Sequence, residues 1–92
     1  MTNAVRKREL NKAVNVIKQF GAKSIILFGS CARNEKNVSD IDIAVGGIAK
    51  NSFFMLAGRL IKELDVNVDL VDLDEADDHF MKRIKEEGKK LL

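Results

Sequence analysis

Ser24-Ile25-Ile26-Leu27-Phe28-Gly29-Ser30 and, further on, Asp40-Ile41-Asp42-Ile43-Ala44-Val45 decide how this chain folds. The first stretch opens with a short apolar run rich in β-formers, the mark of a buried strand, from Ser24 to Phe28. Gly29-Ser30 breaks it. The second alternates acid and isoleucine, then stays apolar until Gly46-Gly47 stops it. Successive side chains of a strand point to opposite faces. Ile41 and Ile43 therefore enter a core, while Asp40 and Asp42 project together from the other face.

Two carboxylates this close repel by roughly 1–4 kcal/mol, depending on the local dielectric. A bound divalent cation removes the conflict, and oxygen-only donors fit magnesium or manganese. The alternative is an exposed strand face with two ordinary acids. Gly29 lets a ligand approach the backbone where a Cβ would stand. The Ser30 hydroxyl and the free N–H groups of a helix start can hold phosphate oxygens, although a plain turn also uses Gly-Ser. Asp69 is a third acid, in the middle of the apolar run Val66 to Val71. Asp is depleted in strand interiors, so its presence there needs a reason. If that strand lies beside Asp40–Asp42, three carboxylates meet, enough to hold two divalent ions for phosphoryl or nucleotidyl transfer. Asp65 and Asp72 compete for the role, but at strand edges a solvated acid needs no explanation. Nine residues separate Ser30 from Asp40. If the first two strands run antiparallel, the phosphate cradle sits beside the metal site, as a nucleoside triphosphate with Mg²⁺ requires.

Working outward, Leu10, Ala13, Val14 and Ile17 mark one face of a helix from Asn3 to Phe20, ended by Gly21. Cys31 to Lys36 is read as a short helix. Asn51 or Ser52 is expected to cap a helix that runs to Leu64, with Phe53, Leu56, Ala57, Leu60, Ile61 and Leu64 inward. Phe53, Phe54 and Met55 are read most simply as core; the alternative leaves one of the three exposed as part of a partner surface. A last helix spans Ala76 to Glu87, with Phe80, Met81 and Ile84 inward and Gly88 as its stop. The order αβ(α)βαβα predicts an α/β (α+β) fold: a small mixed sheet of three or more strands with helices packed on it. The 92 residues suit one domain spanning 1–92.

The composition is that of a soluble globular chain, 46% hydrophobic and 33% charged, without a membrane-length apolar run or a signal-peptide core. One cysteine, Cys31, excludes an internal disulfide and fits a reducing, cytoplasmic setting. It is read as a small residue at a helix start. His79 is read as a surface residue. The formal charge of +2 does not argue for nucleic-acid binding, and none is expected. The distribution is uneven. Residues 63–78 hold eight acids and no Lys or Arg, whereas both ends are basic, with Arg6, Lys7, Arg8 and Lys12 at one and Lys82, Arg83, Lys85, Lys89 and Lys90 at the other.

The string Leu-Phe-Gly-Ser-Cys-Ala-Arg at 27–33, followed by Ser-Asp-Ile-Asp-Ile-Ala-Val at 39–45, resembles the signature of the DNA polymerase β-type nucleotidyltransferase superfamily. With Val-Asp-Leu-Val at 68–71 and Ile-x-x-Glu-Gly-x-x-Leu at 84–91, nearly the whole chain resembles its smallest branch, the minimal nucleotidyltransferases, or MNT proteins. Many of these are antitoxins encoded beside a HEPN-domain toxin. The resemblance implies a polymerase β-like fold, with two Mg²⁺ ions as cofactors and ATP as substrate. Asp40 and Asp42 would ligate the metals. Asp69 would complete the site and help the nucleophile lose its proton. Ser30 and nearby backbone would hold the triphosphate beside Gly29. Arg33 has two readings: contact with phosphate or partner, or a salt bridge that orders the spacer. The implied reaction moves AMP to a tyrosine of the HEPN toxin. This chain has no Tyr, so it cannot label itself on that residue. Three readings stay open at this point. One is an AMP-transferring antitoxin; another is a binding module or scaffold acting by contact; the last is transfer to a small-molecule acceptor. A homodimer is compatible with an exposed apolar helix face.

Overall fold

The computed structural model describes residues 2–32 and 40–92. Helix α1 spans Asn3–Gln19; Thr2 caps it by accepting the Val5 N–H at 3.1 Å. Strand β1, Ser24–Phe28, leads directly into a one-turn helix, α2, at Gly29–Ala32. The predicted short helix therefore begins two residues early, and its positions 33–36 lie outside the described residues. Strand β2 is Asp40–Gly46, α3 is Lys50–Glu63 and β3 is Asn67–Asp72. A 3₁₀ turn at Leu73–Glu75 follows. Helix α4, Asp78–Glu87, starts two residues later than predicted because Asp77 takes the cap, accepting the Phe80 N–H at 2.8 Å. It ends at Gly88, as its sequence predicts.

The sheet is mixed and four-stranded, in the order β3-β2-β1-β4. β1 and β2 are antiparallel, with Phe28 opposite Asp42. β2 and β3 are parallel, with Asp42 opposite Asp69. The fourth strand, Lys89–Lys90, was not predicted. Two lysines carry no strand signature; the pairing of Leu91 and Leu92 with Ile25 through the backbone, at 2.7–3.3 Å, holds them there.

One sheet face carries Ile25, Leu27, Ile41, Ile43 and Val45, all buried. They form one core with Ala13, Val16 and Ile17 of α1 and Leu56 and Leu60 of α3. Burying such side chains stabilises the fold by roughly 1.5–3 kcal/mol each. Alternation along β2 therefore anchors the strand by its isoleucines and frees the aspartates. On the opposite face α4 packs against β1: the Phe28 and Phe80 rings meet edge to face, 5.4 Å apart at 90°. Gly88 passes so close to Ile26 that a Cβ there would lie 2.6 Å from Ile26 Cγ2.

Three expectations are corrected. The cap of α3 is neither Asn51 nor Ser52; the helix starts at Lys50 after Ala49, which provides no side-chain cap. Ile61 is not core but 77% exposed. Phe54 and Met55 are likewise open, at 71% and 66%, while Phe53 is half-buried. The apolar arc of α3 is wider than the surface it packs on, so only part of it finds a partner among the described residues.

Candidate active site

The site is built where β1 stops. Gly29 has φ +70°, a left-handed backbone conformation that favours glycine. A Cβ at this position would run into the carboxylate of Asp42. Glycine is thus required twice: to turn the chain from strand to helix, and to leave room for the acid on the neighbouring strand. The Ser30 backbone lies in the first turn of α2. The roles expected of the Ser30 side chain and of Arg33 lie outside the described residues.

Asp40 and Asp42 share the face of β2 that the core does not use, and both are half-buried. On β3, Asp69 pairs with Asp42 and Asn67 with Asp40. The conditions set by the sequence are met in the strand order: β1 and β2 are antiparallel, and the Asp69 strand adjoins the Asp40–Asp42 strand. Asp69 is exposed. Beside it opens a cavity of about 380 Å³ lined by Asp40, Asn67 and Asp69, with Ile61, Leu64 and Val66 on its apolar wall. That volume lies within the range of small-molecule sites, about 300–1,000 Å³. Asp42 sits between this cavity and Gly29. Asp65 also lines the cavity, whereas Asp72 lies at the far end of β3, paired with Val45.

The residues suit a hard divalent cation in donor type and register, all oxygen and on adjacent strands. Neighbouring strands are about 4.8 Å apart, and Asp42 and Asp69 stand opposite each other on them. Among the described residues, no three acidic, His or Cys side chains converge closely enough to hold one as they stand.

Two further residues shape this region without a signal in the sequence. Glu9 of α1 is fully buried, and its Oε1 accepts the Asp65 N–H at 3.2 Å. Its Oε2 has no hydrogen bond of good geometry; Lys12 Nζ, 3.3 Å away, compensates the charge. Glu9 thereby fixes the turn that feeds β3 and Asp69. A charged residue in a basic helix reads as surface, which conceals it. Asn67, opposite Asp40, reads as an ordinary strand-edge amide. Cys31 is buried beneath the turn. Burial pushes its thiol pKa up; Arg6 opposes this, Asp42 adds to it and Lys89 opposes it. The thiol is therefore held neutral, which fits a packing role. His79 is exposed.

A strand running into a Gly turn, facing an Asp-x-Asp strand with a third Asp alongside, places this fold among nucleotidyltransferases. The Polymerase beta, Nucleotidyltransferase family model matches residues 11–92, and the chain belongs to that family. Solved structures similar to it are MNT antitoxin complexes. A toxin–antitoxin structure with AMP-PNP is 33% identical at a TM-score of 0.76, over 89% of this chain and 71% of that one. A mutant MntA–HpeT complex is 33% identical at 0.75, over 89% and 70%. A complex of tri-AMPylated HEPN toxin with MNT antitoxin, from Shewanella oneidensis, is 30% identical at 0.73, over 95% and 71%. No curated protein sequence matches the chain. Among the described residues, no helix is long and apolar enough to cross a membrane.

Proposed function

We propose that this chain, as one domain over residues 1–92, is a Mg²⁺-dependent nucleotidyltransferase of the protein-adenylyltransferase type. It moves AMP from ATP to a tyrosine hydroxyl of a HEPN-domain toxin and so acts as that toxin's antitoxin in the cytoplasm. The observation that carries the proposal is the seating of Asp42 between Gly29, which has no room for a Cβ, and Asp69, its partner in register. The similar structures support it: one contains AMP-PNP, and another contains a tri-AMPylated HEPN toxin.

Asp40, Asp42 and Asp69 would hold the metal. When bound, Mg²⁺ neutralises triphosphate charge and lowers the pKa of the attacking hydroxyl. Ser30 and Arg33 are assigned to hold the phosphates beside Gly29, whose missing Cβ leaves room for Asp42. Asp69, the most open of the three acids, faces the cavity from which an acceptor enters and takes its proton. The acceptor oxygen bonds to the α-phosphorus, the bond to the β-phosphate bridge breaks, and pyrophosphate leaves. The chain contains no Tyr, so the acceptor tyrosine comes from elsewhere.

The test is incubation with Mg²⁺, α-labelled ATP and the HEPN protein, with Asp40→Asn/Asp42→Asn as the control. Label on the toxin with wild type alone is the expected result. Toxin neutralisation that survives in the double variant would instead assign the effect to contact.

A further inference from the structure

Phe54 and Ile61 of α3 are 71% and 77% exposed, and they lie seven positions apart on one side of the helix. Gly58 stands between them, and a Cβ there would meet nothing within 4 Å. Two large apolar side chains across an open glycine form a shallow stripe rather than isolated surface residues. Its lower end is not separate from the candidate site. Ile61 itself walls the cavity that holds Asp40 and Asp69. The far rim of that cavity carries Asp65, 81% exposed at its side chain with Lys12 Nζ 4.0 Å away, and it belongs to the 63–78 stretch with eight acids and no Lys or Arg of its own.

We infer that the Phe54–Gly58–Ile61 stripe is where the acceptor protein docks, laying apolar side chains on α3 so that a cationic, hydroxyl-bearing segment enters the acidic cavity at Asp69. Continuity and charge together select this occupant. A second copy of this chain would bring no tyrosine to the cavity. A partner with an apolar ridge beside a basic segment satisfies both ends of the surface. Interface energy concentrates in a few large apolar anchors, with a charged rim that governs approach. The inference rests on the proposed function, since it names the surface through which that reaction takes its acceptor.

The experiment uses the whole chain and the full-length HEPN-domain protein. Phe54→Ser/Ile61→Ser is compared with wild type for complex affinity by calorimetry, for KM toward the HEPN acceptor, and for ATP affinity and melting temperature. Affinity is expected to fall at least about 30-fold, the mark of a lost hot spot. Acceptor KM should rise in parallel, while the Phe54→Ser single variant should keep wild-type ATP affinity and melting temperature, because Phe54 is exposed and does not line the cavity. Asp65→Lys should slow association about tenfold. Wild-type affinity in the double Ser variant would overturn the inference. So would a wild-type chain that forms no complex with the HEPN protein, or a variant that loses only self-association. If wild type binds the HEPN protein without transferring AMP, the catalytic reading fails while the affinity comparison still decides the docking surface. If transfer proceeds and the stripe is dispensable, the docking surface fails and the catalytic reading stands.

Discussion

Ile26, Ala44 and Val71 lie on the same sheet face as Asp40, Asp42 and Asp69, one alternation further along their strands. The strands are continuous through both regions, yet the surroundings are opposite. Over the apolar end α4 closes on β1, with Ile84 buried and Gly88 against Ile26, and its Phe80 reaches Phe28, the residue opposite Asp42. At the acidic end nothing among the described residues closes over Asp69, and a cavity remains. The apolar end contributes stability through burial. The acidic end sets like charges in register across two strands, an arrangement that a bound divalent cation would favour. One sheet can therefore be rigid and reactive within two residues, provided the rigid part is packed on both faces.

The largest expected effect breaks the acidic end alone. Asp42→Asn should lower AMP transfer at least about 100-fold, equivalent to about 2.7 kcal/mol in the transition state. Its melting temperature without metal should move far less than that of a core truncation, since Asp42 is outside the buried apolar core. A fall in both would erase the distinction between the two ends.

Ile84→Ala breaks the apolar end. A buried aliphatic truncation costs about 2–5 kcal/mol, read by denaturant unfolding. Transfer per folded molecule should change less than about tenfold, because Ile84 does not line the cavity.

Mg²⁺ with ATP sharpens the contrast. At about ten times Kd, binding should stabilise wild type by roughly 1.4 kcal/mol, or about 5–10 °C in Tm for a domain this size. Asp42→Asn should lose most of that shift, whereas Ile84→Ala should keep it from a lower baseline. Differential scanning fluorimetry reads both.

The smallest effect concerns Cys31. Burial raises its pKa, so the folded chain keeps the thiol proton to higher pH than the unfolded chain. Its stabilising share is complete below the ordinary thiol range and is lost as pH rises through that range and beyond. Cys31→Ala should lower Tm near neutrality through lost packing and flatten its alkaline decline relative to that value.

Much of this was legible in the sequence because the site obeys the simplest periodicity. A period of two in Asp-Ile-Asp-Ile states both where the core lies and where the acids point. Gly29 carries its own signal, since its position between strand and helix demands a turn. What escaped has physical reasons. Helical periodicity reports that Phe54 and Ile61 are apolar, but not whether a surface exists to receive them. Glu9 is buried by a hydrogen bond to a residue 56 positions away, beyond any local pattern. β4 forms from two lysines because neighbouring backbone groups recruit them, not because lysine favours a strand.

The Glu9–Asp65 bond also bears on where this fold should be cut. The family match begins at residue 11, and a truncation drawn there would look generous on paper. It would remove Thr2, which caps α1, and Glu9, which receives the Asp65 N–H. The shortened chain would keep every residue of the signature and lose the support that sets the strand bearing Asp69. Sequence similarity marks where ancestry can be traced; the hydrogen bonds mark where the working piece begins, and here they begin earlier.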